Sequence, residues 1–365
     1  MTTDTDTIHS DIAIPPGEYL EEVIDDLGIS KGELACRMNR PPSQLTPIFK
    51  GKKAITPATA IQIKKVTGVP AHIWTGLEAE YRLILAKSEE NRRWQELKRE
   101  SSLTGPYCYD ELCKQGFVPR QAKPAEKVAA LQSFFGVTSL HAVPKLKRYE
   151  PLFRGNQAEN RNFSPFALST WLRIGEKRAS ETESAPFSKQ RVKRLLPALR
   201  RMTTQSPDIS IDDLHRSLAE TGIALVIAPT ITKASASGAT FWMRSDKAVM
   251  MMTIREQWSD FFWFQLFHQI GHILMHGTRQ VFIESDQPIL DHQKQCQDAD
   301  RFASDTLIPP KEYNRFLKNG HLNGCEIKRF ADGIDVDSGI IVSRLQNENR
   351  IDSSSYNGLR SRIPF

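Results

Sequence analysis

The sequence predicts a multidomain protein with an all-α N-terminal domain, a helical middle region and an α+β C-terminal domain. At 365 residues, the chain is longer than one ordinary domain. Apolar residues at helical spacing dominate its first 205 residues, whereas short apolar strands precede the aromatic run Phe261–Phe267. We place the predicted domains at residues 1–88, 89–205 and 206–365.

The composition is typical of a folded, water-soluble protein, with 39% hydrophobic and 25% charged residues. No apolar run reaches the ~18 residues that a membrane span needs, so we expect no membrane partner. The first residues, Met1-Thr-Thr-Asp-Thr-Asp, lack the pattern of a secretory signal. Five cysteines, an odd number, form no dense framework, which favours the reducing cytoplasm as the location.

The net charge of +6 is distributed unevenly along the chain. Residues 1–86, 87–201 and 202–365 carry net charges of −2, +11 and −3. From Leu34 to Leu77 there is no acidic residue, although seven lysines and arginines occur there. Such a basic stretch within an acidic region is typical of a phosphate-binding surface. The basic middle region is interpreted either as a solvated helical connector or as a source of nonspecific DNA affinity.

Capping signals divide the first region into short helices. Ser30 is a good N-cap for a helix at Lys31–Met38, and Glu33 completes a capping box. The next helix ends at Gly51, and Thr56 caps the one after it. A helix, a tight turn, a short helix and a capped supporting helix are the plan of a helix-turn-helix domain.

On this plan the second short helix enters the major groove of double-stranded DNA. Three polar side chains on it would contact bases or phosphates, and three lysines after it would hold the backbone. The predicted DNA-binding residues are Ser43, Gln44, Thr46, Lys50, Lys52 and Lys53. Pro47 disfavours helical geometry at Thr46, which predicts a short or bent recognition helix. The alternative is a five-helix domain that only dimerises or binds protein.

Four segments of this region form a specific pattern: Ile14-Pro-Pro-Gly-Glu-Tyr-Leu, Gly28-Ile-Ser, Gly51-Lys-Lys-Ala-Ile-Thr-Pro-Ala-Thr-Ala and Trp74-Thr-Gly-Leu-Glu-Ala-Glu-Tyr. In them the first quarter of the chain resembles the HigA group of Cro/C1-type (XRE family) antitoxin-repressors. The resemblance implies a lambda-repressor-like fold and a homodimer that binds its own operator. It also implies neutralisation of a toxin where such a partner exists. Pro47 departs from the family, which usually has a polar or charged residue there.

Two histidines near residue 270 point to a metal site. On a helix over residues 258–276, His268 and His272 share one face and can bind one zinc ion. Zinc peptidases have the pattern His-Glu-x-x-His, in which the Glu is the general base. Here that position is Gln269, an amide that cannot take up a proton at neutral pH. The alternative is a pair of satisfied core histidines, and His276 is expected to be a helix-end residue and not a ligand.

The next predicted helix, Lys294–Ala303, offers a third ligand. Cys296 and Asp300 share a face of this helix at spacing i, i+4. A thiolate suits zinc, and Asp300 could orient a histidine from the second shell. Asp298 and His292 are rival ligands. The predicted metal ligands are therefore His268, His272 and Cys296.

Five segments of the last region form a second specific pattern: Ser237-Gly-Ala-Thr, Phe262-Trp-Phe, His268–Gly277, Ala299-Asp-Arg-Phe-Ala-Ser-Asp-Thr-Leu-Ile-Pro and Ile340–Gln346. In them residues 206–350 resemble the ImmA/IrrE family of zinc-peptidase-like domains. The resemblance implies a zincin-like fold in which an edge strand holds an extended peptide. Two departures fall on the chemistry, because Gln269 and Cys296 replace the glutamates that the family usually has as base and third ligand.

The sequence thus predicts an antitoxin-like DNA-binding regulator, dimeric, with a zincin-derived domain that senses or binds a partner, peptide or metal. The alternative is an active zinc endopeptidase that cleaves a repressor or toxin partner. In that case Glu284 is a distant candidate for the base.

Overall fold

The structure is a computed structural model that describes residues 12–154, 162–205, 211–253, 258–277, 280–285, 292–318 and 322–363. The chain divides into two compact units, Met1–Arg99 and Glu100–Phe365. The division into three domains, with boundaries after residues 88 and 205, stays a prediction. Among the described residues, no helix combines the length and the apolar character needed to cross a membrane.

The part of the N-terminal unit that the structure describes contains five α-helices. They are α1 Pro16–Asp26, α2 Lys31–Arg37, α3 Pro42–Phe49, α4 Pro57–Thr67 and α5 Ala71–Arg99. The predicted caps are confirmed, because Ser30 Oγ accepts the backbone N–H of Glu33 at 3.1 Å and Thr56 Oγ1 accepts that of Thr59 at 3.3 Å. Helix α5 runs without interruption through Ser88, where the boundary between the first two domains was predicted.

Close packing fixes the orientation of α3. A Cβ atom added to Gly17 of α1 would collide with the backbone of Phe49, so only glycine allows this approach. Leu34 and Ala35 of α2 are fully buried in the same core as Leu45 of α3. Helix α3 is eight residues long and contains Pro47, which agrees with the prediction of a short recognition helix.

The C-terminal unit is mainly helical around one small sheet. Its first helices are α6 Tyr109–Lys114, α7 Pro124–Phe135, α8 Glu150–Arg154, α9 Pro165–Glu181, α10 Lys189–Met202 and α11 Ile211–Ala219. The strands are β1 Ile223–Ile227, β2 Ala236–Arg244, β3 Lys247–Met252 and β4 Phe282–Ser285. The remaining helices are α12 Ser259–Met275, α13 Gln293–Leu307, α14 Pro310–Lys318, α15 Gly324–Gly333 and α16 Ser338–Asn347.

The sheet is mixed, with the strand order β1-β3-β2-β4. Strand β3 pairs parallel with β1 and antiparallel with β2, and β2 pairs antiparallel with β4. All six residues of β3 are buried, because both faces of the sheet are covered. On one face Met250 and Met252 join the core that contains α12. On the other face Met251 fills the space left by Gly175 of α9.

Helix α12 is the central helix of this unit. Trp263, Leu266, Phe267 and Ile270 are all fully buried and form one apolar face of the helix, at spacing i, i+3, i+4 and i+7. Helix α13 approaches it closely at Gly271, where an added Cβ would lie 3.1 Å from the Cα of Ala299. The close packing of the two helices therefore depends on a glycine at this position.

A buried ion pair fixes the first turn of α12. Asp260 is 2% exposed and accepts two hydrogen bonds from the Arg360 guanidinium, with Nη2–Oδ2 at 2.8 Å and Nε–Oδ1 at 3.1 Å. The Arg360 guanidinium also lies over the Trp258 ring, 4.5 Å from its centroid. The last residues of the chain are thereby attached to the start of α12.

We predict that Arg360→Met lowers the free energy of unfolding by about 3–5 kcal/mol, because it leaves the Asp260 carboxylate buried and unpaired. Urea denaturation followed by circular dichroism measures this loss. The control is Arg315→Met, which removes an exposed ion pair with Glu312 and is expected to cost about 0–1 kcal/mol. Equal losses in the two variants would show that Asp260 does not depend on Arg360.

Candidate functional site

Four side chains from three elements converge beside the second half of α12. His268 and His272 project from α12, Glu284 from β4 and Cys296 from α13. One nitrogen, oxygen or sulfur atom of each lies within 4.8 Å of the others. Both histidines are at most 4% exposed. These four residues, which we call the His-Glu-Cys cluster, are of the types that bind transition metals.

The Glu284 carboxylate lies at the centre of the cluster. Its Oε1 atom is 2.7 Å from His268 Nε2, 3.5 Å from His272 Nε2 and 3.9 Å from Cys296 Sγ. The Nε2 atoms of the two histidines are 3.0 Å apart. The structure therefore brings together the three predicted ligands, although their role as ligands stays a prediction.

The outer nitrogens of both imidazoles have partners as well. His268 Nδ1 lies 2.8 Å from Asp300 Oδ1, and His272 Nδ1 lies 3.0 Å from His276 Nδ1. The Phe282 ring stacks on His272, with centroids 4.2 Å apart. These contacts fix the orientation of each ring, as is usual for histidines that bind metals. Asp300 thus lies beside His268, in a position to orient a histidine as the sequence predicted.

Neither rival ligand belongs to the cluster, as far as the described residues show. His292 is the N-cap residue of α13, and its ring lies 5.0 Å from that of Phe282. The negative charge of Asp298 acts to raise the pKa of His276, which lies outside the cluster. The structure thus groups Cys296, and not Asp298 or His292, with the two histidines.

Burial and the facing carboxylates control protonation in the cluster. Burial alone would lower the pKa of His268, but hydrogen bonds to Asp300 and Glu284 raise this pKa to about 9. Burial alone would raise the pKa of Glu284, but hydrogen bonds with His268 and His272 lower this pKa to about 2. Burial, with the charges of Glu284 and Asp300, raises the pKa of the Cys296 thiol to about 12. The carboxylates thus favour a positive charge at this point.

The donor set fits a zinc ion. His268 Nδ1 faces Asp300 and its Nε2 faces the Glu284 carboxylate, so either a proton or a metal ion can lie between His268 and Glu284. Zinc bonds of ~2.0–2.3 Å in a tetrahedral arrangement place ligand atoms roughly 3.3–3.8 Å apart. The observed separations are 2.7, 3.0, 3.5 and 3.9 Å, and the two that are shorter than this range both involve His268 Nε2.

Gln269, at the position of the missing base, is fully buried against β2. The Thr240 hydroxyl donates a hydrogen bond to Gln269 Oε1, while Gln269 Nε2 has no partner among the described residues. A Cβ atom added to Gly238 would lie 2.8 Å from that nitrogen. The neutral amide of Gln269 thus fills the space beside β2 that exists because residue 238 is a glycine.

The sequence indicated Glu284 only as a distant candidate for the base, whereas in the structure it is the central group of the cluster. Its position depends on strand pairing, because Glu284 lies opposite Gly238 in the β2–β4 ladder. The one local signal is the pattern Phe282-Ile-Glu-Ser, in which the buried Phe282 is two residues from Glu284 and so points to the same face.

In the N-terminal unit, all six predicted DNA-binding side chains are exposed. They are Ser43, Gln44, Thr46, Lys50, Lys52 and Lys53. The Thr46 hydroxyl donates to the Pro42 carbonyl at 3.2 Å. The backbone N–H groups of Lys52 and Lys53 both donate to the Pro47 carbonyl, at 2.8 and 3.0 Å, which fixes the turn after α3. The structure records no ion pair for the three lysines within the part of the chain that it describes.

Comparison with known proteins identifies both parts of the chain. Residues 254–322 match the model of the IrrE N-terminal-like domain, family Peptidase_M78. A 72-residue alignment is 33% identical to YddM, an uncharacterized HTH-type transcriptional regulator of Escherichia coli (strain K12), and covers 20% of this chain and 77% of that protein. A solved addiction module antidote protein of a HigA family from Coxiella burnetii matches with 28% identity, covering 23% of this chain and 92% of that chain, with a TM-score of 0.21.

The chain therefore belongs to the family of HTH-type transcriptional regulators. It joins this helix-turn-helix part to an IrrE-like domain, and the matched residues 254–322 include α12, β4, α13 and α14. The predicted fusion of these two families is confirmed.

Proposed function

We propose that this protein is an antitoxin-like transcriptional regulator that binds operator DNA through its N-terminal unit. Its C-terminal unit, on this proposal, binds a metal ion and does not hydrolyse peptides efficiently. The observation that carries the proposal is the exposed polar and basic surface of α3 and the following turn, in a chain related to an HTH-type transcriptional regulator. The proposal includes a homodimer, because operator half-sites match two-fold protein symmetry.

The first turn of α3 supplies the groups that would contact bases. Ser43 and Gln44 are exposed there, and a glutamine amide can bond to adenine in the major groove. The Thr46 hydroxyl donates its proton to Pro42, so its oxygen remains available mainly as an acceptor. Gln44 is therefore the best candidate for direct recognition of a base.

The turn after α3 supplies the positive charge. Lys50, Lys52 and Lys53 are exposed in a turn whose backbone is fixed by the Pro47 carbonyl. Two acids of the same unit have other partners, since Glu33 contacts Arg37 and Glu21 contacts Lys31. Three lysines without intramolecular partners among the described residues favour contact with phosphates.

In the C-terminal unit, we assign His268, His272 and Cys296 as metal ligands and Asp300 as the group that orients His268. A zinc ion bound here would supply a cross-link between helices and a Lewis acid. Asp300 holds the Nδ1 side of His268, so the Nε2 lone pair is directed into the cluster. The metal, a peptide or a toxin is the class of partner that this unit would sense or bind.

The buried Gln269 is the reason for proposing little or no hydrolysis. A general base contributes typically about 10²–10⁴-fold to such a reaction. The Gln269 amide cannot accept a proton at neutral pH, and its oxygen already accepts the Thr240 hydroxyl. The group at this position is therefore a packing residue between α12 and β2.

One observation favours a second candidate function, an active zinc endopeptidase that cleaves a repressor or toxin partner. The Glu284 carboxylate lies in the His-Glu-Cys cluster, and its side chain is 23% exposed. An ionised carboxylate beside a metal could serve as the base that Gln269 cannot be. In this alternative Glu284 takes up the proton, so hydrolysis depends on Glu284 and not on Gln269.

For DNA, we predict that the triple variant Lys50→Ala, Lys52→Ala, Lys53→Ala binds more weakly and with a smaller salt dependence. The plot of log binding constant against log salt concentration has a negative slope, and loss of three phosphate contacts makes this slope shallower by about 2.7. Fluorescence anisotropy measures this slope on double-stranded DNA from upstream of the protein's own coding sequence, between about 50 and 200 mM salt.

The matched control replaces three exposed lysines of the C-terminal unit, Lys311, Lys318 and Lys328, by alanine. It removes the same charge and is expected to leave the slope near the wild-type value. A wild-type protein that does not bind this DNA at low salt would contradict the regulator function. Equal effects of the two triple variants would contradict the assigned surface.

For hydrolysis, we predict no metal-dependent cleavage of a peptide library by the zinc-loaded wild-type protein, as measured by mass spectrometry. The comparison variants are Gln269→Glu, which restores a carboxylate at the base position, and Glu284→Gln. Cleavage by the wild type that is lost with a chelator and in Glu284→Gln would establish the endopeptidase alternative instead.

A further inference from the structure

We infer that Glu284 is a fourth metal ligand and that it closes the coordination sphere formed with His268, His272 and Cys296. The inference rests on the proposed function only in that the C-terminal unit binds a metal ion. It goes further in assigning a closed, four-ligand centre, whereas catalytic zinc sites keep one position open.

The first argument is the position of the carboxylate. Glu284 Oε1 is the atom that contacts each of the other three donors, at 2.7 Å, 3.5 Å and 3.9 Å. Without Glu284 the cluster has three donors, two nitrogens and one sulfur, which is one fewer than a tetrahedral set. With it, the donors are two nitrogens, one oxygen and one sulfur, a complete tetrahedral set for zinc.

The second argument is that pairing with β2 fixes the backbone at Glu284. Its partner in the β2–β4 ladder is Gly238, and the adjacent Ser285 pairs with Ala236. The Ser237 hydroxyl also donates to the Glu284 carbonyl at 3.4 Å, and Gln265 Nε2 donates to the same hydroxyl at 2.7 Å. The carboxylate therefore reaches the cluster from a fixed strand.

The third argument is charge. The side chains that contact the Glu284 carboxylate are His268, His272 and Cys296, and no lysine or arginine pairs with it among the described residues. A carboxylate that is mostly buried needs a positive partner, either a protonated His268 or a bound cation. A divalent cation shared with both imidazoles supplies that charge and satisfies their lone pairs as well.

A closed centre changes what the metal does. With four protein ligands, bound zinc attaches β4 and α13 to α12 and leaves no position for a substrate. Because metal binding and folding are coupled at such sites, occupancy controls how firmly β4 is held. The class of ligand that this unit responds to is therefore a divalent transition-metal ion, and not a peptide bond undergoing hydrolysis.

The test uses cobalt(II) as an optical probe in the full-length protein. We expect one cobalt per chain, an absorption spectrum of tetrahedral cobalt with a thiolate charge-transfer band, and no change when azide is added. Cys296→Ala is expected to lose the charge-transfer band. Glu284→Gln, which preserves shape, is expected to bind at least about 10–100-fold more weakly, since even outer-shell changes cost that much. Its spectrum is expected to respond to azide.

The control is Glu220→Gln, an exposed glutamate of the same unit, which is expected to bind cobalt as the wild type does. If azide changes the spectrum of the wild type, the site is open and the assignment of Glu284 is overturned, while metal binding itself stands. If the wild type binds neither cobalt nor zinc, the metal-binding part of the proposed function fails together with this inference. The wild-type azide experiment does not depend on the folding of any variant.

Discussion

The structure of the C-terminal unit depends on one constraint, the burial of a carboxylate and two imidazoles at the junction of α12, β4 and α13. Buried acceptors are costly unless a positive charge lies between them. Glycine at Gly271 lets α13 approach α12, and glycine at Gly238 leaves room beside β2 for Gln269. The pairing of β4 with β2 places Glu284 beside the two histidines. A metal ion at this point would satisfy the Glu284 carboxylate and both imidazoles.

The two units carry their candidate functional groups in different places, one on the surface and the other in the interior. In the N-terminal unit the apolar core is small and the chemistry lies outside it, on exposed polar side chains of α3 and lysines without intramolecular partners among the described residues. In the C-terminal unit the reactive groups lie on and beside α12, a helix most of whose residues are buried. An exposed basic surface fits a large polyanion, whereas a buried cluster of nitrogen, oxygen and sulfur atoms fits a small cation. This contrast is the physical basis for assigning DNA to one unit and metal to the other.

What the sequence predicted well was local. Ser30 and Thr56 were found from capping rules, and the pairs His268/His272 and Cys296/Asp300 from the spacing of four residues on a helix. Glu284 could not be placed, because its position follows from a strand register with Gly238 that is distant in sequence. The continuation of α5 through Ser88 was missed because that stretch has few apolar residues, although it contains no glycine or proline to end a helix.

X-ray absorption at the zinc edge, on the full-length protein loaded with one zinc per chain, tests the metal centre most directly. A closed site predicts two imidazole nitrogens and one carboxylate oxygen at ~2.0–2.2 Å and one sulfur at ~2.3 Å. A first shell without sulfur, or one with more light-atom ligands than His268, His272 and Glu284 supply, would contradict a centre built from these four residues.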